Sequence, residues 1–271
     1  MWLTVYVPFA TGLILTLSRG SMGGGNSQCD WDNFFASMMQ ASDERGKELG
    51  FATFGQTLGS KTVGGFVPNG ANAAEKSYDR TEPIVGAKVL RAMVKRFGVD
   101  ETAWLIAWSF DQLYGWHDWA WNNRQLVHSH GLIAPGSSPM PPGTGVPDCD
   151  RSGTGLADSL MQCARWETGM DNSPMYDGPD VKSDNKSGPI FFNATNHLME
   201  VMDVGMTGNL ASDMGALAEL GDLWCNSTNA SIAGTCGSVT KKKIGVTKAR
   251  LGLLVSRMQQ HLSGMSRWGH S

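Results

Sequence analysis

The chain is 271 residues long, with 41% apolar residues, 17% charged residues and a net charge of −3. That length can bury a sizeable core, the composition excludes a disordered polyelectrolyte, and the charge gives no reason to expect nucleic acid as a partner. The 34 glycines point to many irregular loops, and the 10 tryptophans suit either sugar-ring platforms or a large helical core.

Met1 to Leu17 is mostly apolar but contains Pro8 and several threonines, and nothing basic precedes Arg19. A membrane span wants about 20 apolar residues and a signal peptide wants a basic lead, so this run reads as a buried strand or loop of the fold. Asp32 can cap a helix over Asn33–Ala41, with Phe34, Phe35, Met38 and Met39 on one side. A less regular helix follows over Glu44–Leu58. Thr81–Phe97 gives the clearest pattern: Thr81 as N-cap, Glu82 and Pro83 in the first turn, Val85, Val89, Leu90, Met93 and Val94 as apolar face, and Gly98 as the stop. Asp100–Gly115, a short Trp116–Leu126, Gly155–Trp166, Asn193–Met206 and Leu210–Leu223 read as further helices. A lysine-rich stretch over Val239–Val246 leads into an amphipathic helix over Thr247–Gly264.

Three long loops, over 59–80, 131–153 and 169–189, are rich in Gly, Pro and Ser or Asp and Asn. Loops of that length in a compact domain are usually functional. Alternating strand patterns and short repeats are absent, so the fold class is all-α, with helix pairs joined by long loops.

Four segments combine Trp with acids, amides or Arg: Cys29–Phe35, Gly65–Asn69 with Ser77–Pro83, Trp116–Arg124, and Arg165–Asp177. A sugar ring needs a flat apolar surface for its C–H faces and polar acceptors for its hydroxyls. Asp171 lies between Gly-Met and Asn-Ser-Pro, so it belongs on a sharply turned backbone, where Trp166 and Met170 would desolvate it and raise its pKa towards a general acid's range. The bland alternative is a solvated turn at a helix end. Asp32 is a helix cap by default, Arg80 and Glu82 make a plain surface ion pair by default, and Trp119 and Trp121 suit the core. His128 and His130 have no identifiable third ligand, so no metal site is assigned there. Asp148-Cys-Asp150-Arg-Ser152-Gly153 opens like a calcium loop over 148–158, a possible Ca²⁺ site, but its twelfth position is Ser159 and not a bidentate Glu. No other cofactor is implied. Five cysteines without a C-x-x-C spacing exclude a zinc ribbon, and Cys225 and Cys236 could bridge a polar loop.

Trp31-Asp-Asn-Phe-Phe35, Lys61-Thr-Val-Gly-Gly-Phe-Val-Pro-Asn69, Asp79-Arg-Thr-Glu-Pro83 and Trp166-Glu-Thr-Gly-Met-Asp-Asn-Ser-Pro-Met-Tyr-Asp177 occur in that order. Together they resemble glycoside hydrolase family 63, which includes processing α-glucosidase I and the mannosylglycerate hydrolases. The trehalase family is a more distant relative. The resemblance implies an (α/α)6 toroid, six helical hairpins around a central pocket, and hydrolysis of an α-glycosidic bond with inversion. It implies Asp171 as general acid, Trp31 and Asp32 as holders of the sugar in the central subsite, Glu82 as a ligand for sugar hydroxyls, Trp166 as an aromatic wall, and Gly169 as the point of close backbone approach. The implied partner is a small oligosaccharide or glycoside.

Inversion also needs a second carboxylate about 6.5–9.5 Å away, acting on a water at the opposite ring face. The stretch Trp224–Ser271 contains no Asp or Glu. Glu167 is a poor stand-in, since it shares the acid's own short segment. Residues 1–223 are accordingly read as a partial catalytic domain, about two-thirds of the ring with about eight helices, and 224–271 as a divergent tail with one helix. Two functions follow, an inverting α-glycosidase and a sugar-binding relative lacking the base. The compartment stays open between the cytoplasm and a secretory route, and no membrane span is expected.

Overall fold

The computed structural model describes residues 4–7, 13–16, 28–71, 76–126, 131–138, 156–170, 173–176 and 192–265. Strands are short and come in antiparallel pairs: β1 (Thr4–Val7) with β2 (Leu13–Thr16), β3 (Gln28–Cys29) with β4 (Gly70–Ala71), and β5 (Phe192–Asn193) with β6 (Leu198–Met199). The helices are α1 (Asp30–Gln40), α2 (Lys47–Gly59), α3 (Gly86–Phe97), α4 (Val99–Asn123), α5 (Leu156–Trp166), α6 (Val204–Cys225), the one-turn α7 (Ala230–Ala233) and α8 (Ser238–Met265). The all-α class read from the sequence holds. None of the described helices is long and apolar enough to cross a membrane.

Helix α6 is the hub, packing against α3, α4 and α8, while α1 packs on α2 and α3. One continuous apolar cluster joins these helices and includes Phe34, Phe54, Leu90, Phe110, Trp116, Leu217 and Leu254. The Phe34 ring lies at its centre, stacked on Trp116 at 5.7 Å and edge-on to Phe54 at 5.3 Å. The sequence boundary at residue 223 falls inside α6, and Trp224, Cys236, Ile244 and Leu254 beyond it join the same cluster. Basic residues of α8 reach acids on α4 and α6: Lys243 to Asp111 (2.8 Å), Lys248 to Asp222 (2.7 Å) and Arg250 to Asp118 (2.7 Å). A disulfide links Cys225 to Cys236 and closes the turn that carries α7, as their spacing allowed.

Four sequence expectations shift. The helix expected over Thr81–Phe97 begins only at Gly86, and residues 80–85 are irregular. Thr81 does not cap it, because its hydroxyl and N–H are engaged elsewhere. The cap comes from α6, where the Asp213 carboxylate accepts from Ala87 N–H (3.1 Å) and Lys88 N–H (2.8 Å) and pairs with His117 Nε2 of α4 (2.8 Å). Asp32 does not cap α1, which starts two residues earlier at Asp30. Helix α4 runs unbroken through the expected junction at Gly115–Trp116, because the residues on either side of that glycine, Leu113 and Trp116, both belong to the core. The helix expected over Asn193–Met206 is a hairpin, β5–β6, followed by the Asp203 cap of α6. Side chains of Asn193 and Asn196 accept from Thr195 N–H (2.9 Å) and Leu198 N–H (3.0 Å), local bonds that compete with a helix.

Gly98 joins α3 to α4 at φ +86°, a left-handed value that a side chain would strain. Asp213 is the harder constraint, since it is fully buried and serves three donors from two helices. Asp213→Ala is expected to lower the unfolding free energy by about 2–4 kcal/mol, because it leaves buried N–H groups and an imidazole unpaired. Urea denaturation of the two proteins measures this, and a loss below about 0.5 kcal/mol contradicts the capping role.

Candidate active site

The irregular segment 80–85 passes between the start of α1 and the end of α5. Thr81 is its pivot. Its N–H donates to Glu167 Oε1 (3.1 Å), its hydroxyl donates to Asp30 Oδ2 (3.1 Å), and that hydroxyl accepts from Trp116 Nε1 (3.2 Å). Glu82 N–H adds a second donor to Asp30 Oδ2 (3.3 Å), and Trp31 N–H donates to Asp30 Oδ1 (2.7 Å). The first turn of α1 and the segment carrying Glu82 are therefore fastened through one buried carboxyl group, Asp30.

Glu167, at the end of α5, is completely buried. Arg124 grips it with both ends of its fork, Nε to Oε2 at 2.7 Å and Nη2 to Oε1 at 2.8 Å. Gly136 N–H donates to Oε2 at 2.6 Å, and Thr81 N–H completes the set on Oε1. Four donors fill the four acceptor positions of a carboxylate. The Arg124 guanidinium in turn lies over Trp119, 4.6 Å from the ring centre.

Aromatic surface collects beside this network. Gly169 sits at φ +70°, and a Cβ there would lie 2.7 Å from Trp31 Cη2 and 3.2 Å from Pro83 Cγ. The absent side chain is what lets the segment after α5 press against the Trp31 indole. Trp166 carries the Arg80 guanidinium over its ring at 4.9 Å. Arg80 pairs with Asp79 at 2.8 Å, both buried, so the default surface ion pair with Glu82 is replaced by an internal one. Asn69, with its amide turned to satisfy both neighbours, donates to Glu82 Oε1 (2.6 Å) and accepts from Arg80 (2.6 Å).

Trp31, Glu82 and Gly169 thus meet around Pro83 and Asp30, Asp32 lies near enough to act electrostatically on Glu82, and Trp166 joins through Arg80 and Asn69. Asp171 lies outside the described residues. The segment on either side of it is anchored: before it at Glu167, and after it at Tyr176, a buried residue whose hydroxyl donates to the Asp203 carboxylate that caps α6. Asp30, Asn69 and Arg124 lie within the segments that the sequence singled out, but none was given a role there, and the Asp30-Trp-Asp32 pairing could not say which acid turns inward.

The acids differ sharply in electrostatics. Burial pushes the Asp30 carboxyl up to about 7, an effect partly offset by its hydrogen bonds from Glu82, Trp31 and Thr81. Burial also holds the Glu82 carboxyl well above the ordinary glutamate value, and the neighbouring Asp30 and Asp32 reinforce it. Among the described residues no group of three His, Cys, Asp or Glu side chains is placed to hold a metal. Residues 148–155 of the calcium-like loop lie outside the described residues, as do His128 and His130. A cavity of about 960 Å³ opens elsewhere, between the α3–α4 junction and α6 and α8, and contains none of the expected site residues.

Residues 28–243 match a family described as Mannosylglycerate hydrolase MGH1-like glycoside hydrolase domain. Among solved structures, an uncharacterized conserved protein from Thermus thermophilus superposes with a TM-score of 0.53 at 16% identity, covering 88% of this chain and 58% of its own. The GH63 mannosylglycerate hydrolase from Thermus thermophilus in complex with glucose gives 0.51 at 15% identity, covering 88% and 59%. The same enzyme in complex with Tris and D-glycerate gives 0.52 at 16%, covering 87% and 62%. At such identities the likeness is one of fold, and the chain spans about three-fifths of the length of these structures. No curated protein matches the chain.

Gly169→Ala tests the contact that gathers the site. A methyl group there meets the Trp31 ring in a backbone conformation already costly for alanine, and the expected loss of stability is about 1–3 kcal/mol. Trp31 fluorescence cannot be isolated among ten indoles, so thermal melting combined with the same substitution in a Trp31→Ala background is the measurement. The alanine is expected to cost less once the ring is gone, and an unchanged cost overturns the contact.

Proposed function

The chain belongs to the MGH1-like glycoside hydrolase domain family, and on that basis we propose that it hydrolyses an α-glycosidic bond with inversion, acting on a small α-mannoside or α-glucoside such as mannosylglycerate. In this reading the described helices are part of an (α/α)6 ring. Asp171 is the general acid that protonates the leaving oxygen. Trp31 and Asp32 hold the sugar in the central subsite, Glu82 binds its hydroxyls, Trp166 forms an aromatic wall, and Gly169 brings the acid-bearing segment close.

One observation carries the proposal. Gly169, two residues before Asp171, packs against Trp31 beside Pro83, so the segment that matches the acid motif is seated on the residues that match the sugar-holding motif. These motifs are about 80–140 residues apart in the chain, and a role in one pocket explains why the fold brings them together. Tyr176 and Glu167 fasten the segment on both sides, the kind of support that keeps a proton donor within reach of its target.

A second reading, sugar binding without turnover, is favoured by the state of Glu167. All its acceptor positions are filled by Arg124, Thr81 and Gly136, so it has no lone pair with which to take a proton from water. Loss of a general base typically removes about 10²–10⁴-fold in rate.

The two readings separate in one set of assays. Aryl α-glucosides, aryl α-mannosides and mannosylglycerate are offered to the protein, and the first-formed anomer is followed by proton NMR. Turnover is expected to yield the inverted anomer and to fall by about 10²–10⁴-fold in Asp171→Asn. Retention of configuration, or an Asp171→Asn variant as active as the parent, overturns the mechanism. Calorimetric sugar binding without turnover supports the second reading instead.

A further inference from the structure

The turn that follows α6 holds two acceptor sequences for N-linked glycans side by side, Asn226-Ser-Thr228 and Asn229-Ala-Ser231. The disulfide between Cys225 and Cys236 closes this turn at both ends. Two more sequences of the same type, Asn185-Lys-Ser187 and Asn193-Ala-Thr195, stand elsewhere in the chain, and Asn185 lies outside the described residues. The proposed glycosidase chemistry uses none of them.

The three described asparagines are not equivalent. Asn193 is half-buried in β5, where its Nδ2 donates to Glu200 Oε1 (2.9 Å) and its Oδ1 accepts from Thr195 N–H (2.9 Å). Its nitrogen, the atom that would carry a sugar, is already engaged. Asn229 caps α7, and its Oδ1 accepts from Ser231 N–H (3.1 Å) and from the Ser231 hydroxyl (2.7 Å). There the hydroxyl of the acceptor sequence is engaged. Asn226 follows α6 as its C-terminal cap. Asn226 and Thr228 are both exposed, and among the described residues neither side chain makes a hydrogen bond. Residues 226–229 belong to no helix or strand, so they can be drawn into an extended shape without unwinding α6. Asn226, Ser227 and Thr228 also line the open cavity between the α3–α4 junction, α6 and α8, which leaves room beside the acceptor.

The cysteines point to the compartment in which such a transfer takes place. Of the four described cysteines, Cys163, Cys225 and Cys236 are disulfide-bonded, and Cys29 is a buried free thiol. Disulfides persist in oxidising compartments, whereas the cytosol keeps thiols reduced. An acceptor sequence carries meaning in a surface loop of a secreted chain. Here the exposed acceptor lies inside a disulfide loop, so two independent features agree on one route.

We propose that Asn226 is an N-glycan acceptor and that this part of the chain matures on the lumenal side of the secretory route. In the transfer, Asn226 Nδ2 forms a bond to the anomeric carbon of an oligosaccharide carried on a lipid pyrophosphate. The bond from that carbon to the pyrophosphate oxygen breaks, and the lipid pyrophosphate leaves with its electron pair. One proton passes from Nδ2 to a base of the transferase, and nothing is oxidised or reduced. The Thr228 hydroxyl is the group by which the transferase recognises the acceptor. The inference is independent of the glycosidase reading, because this sugar is a modification of the chain and not its substrate.

The test uses the full chain isolated from the cells that make it. Glycans are released with peptide N-glycosidase in ¹⁸O water, which converts a glycosylated asparagine to a labelled aspartate, and peptide mass spectrometry locates the label. The label is expected at position 226. Its absence there, or its presence at Asn193 or Asn229 alone, overturns the inference. Acid quenching followed by alkylation is expected to find Cys225 and Cys236 oxidised in the same material, and free thiols at these positions overturn the assigned route. Two variants made in the same cells leave Asn226 itself in place, so that they differ from the parent in one side chain of the turn. Thr228→Ala is expected to lose the label, and Thr228→Ser, which keeps a hydroxyl, is expected to retain it. Equal labelling of the two variants overturns Asn226 as an acceptor read through Thr228. Turnover of mannosylglycerate, present or absent, changes neither result.

Discussion

A single carboxylate, that of Glu167, holds together four parts of the chain that are remote in sequence. Arg124 at the end of α4, Gly136 in the following segment and Thr81 before α3 all donate to it from within the core. A buried charge of this kind is tolerable only when paired and fully hydrogen-bonded, and here every acceptor position is used. The arrangement fixes where segment 80–85 runs, and with it the positions of Glu82 and Pro83. It also fixes the end of α5, from which the segment towards Asp171 departs.

Three buried acids and the half-buried Glu82 lie within this one network, and their surroundings give them different roles. Glu167 has an arginine and is a structural anion. Asp79 has Arg80 and serves as its counter-charge under Trp166. Asp30 is held by neutral donors, the N–H groups of Trp31 and Glu82 and the Thr81 hydroxyl, and burial raises its pKa. Residue type does not separate these cases. The identity of the nearest donor does: an arginine makes a buried carboxyl a charged strut, whereas neutral N–H and O–H donors leave it with a raised pKa.

The helical scaffold behind the site relies on the same principle in a milder form. Asp213 projects from α6 to cap α3 and to meet His117 on α4, so three helices share one polar contact inside an apolar core. Apolar packing supplies most of the attraction between these helices, but it is not directional. The buried polar contacts fix their relative positions. Helix α8 is added from outside, with its basic residues facing acids on α4 and α6 and its Ile244 and Leu254 entering the core.

The all-α class, most of the helices and the family were legible in the linear chain, because helical periodicity is local and the motif Trp-Glu-Thr-Gly-Met-Asp-Asn-Ser-Pro is contiguous. Trp31, Glu82, Trp166 and Gly169 were marked there through the family resemblance that their motifs carry. Other features emerged only on packing. Thr81 satisfies every local rule for an N-cap, yet α3 is capped by Asp213, 126 residues beyond Ala87. Asn193–Met206 can be arranged as a helix, yet its asparagines turn it into a hairpin packed over Tyr176 and Met161. Asp30 and Asp32 flank the same tryptophan, and only the path of residues 80–85 makes Asp30 the buried partner of Glu82. Local spacing specifies which conformations a segment favours, whereas the partner of a buried donor or acceptor is set by whichever distant segment the packed chain brings within about 3 Å.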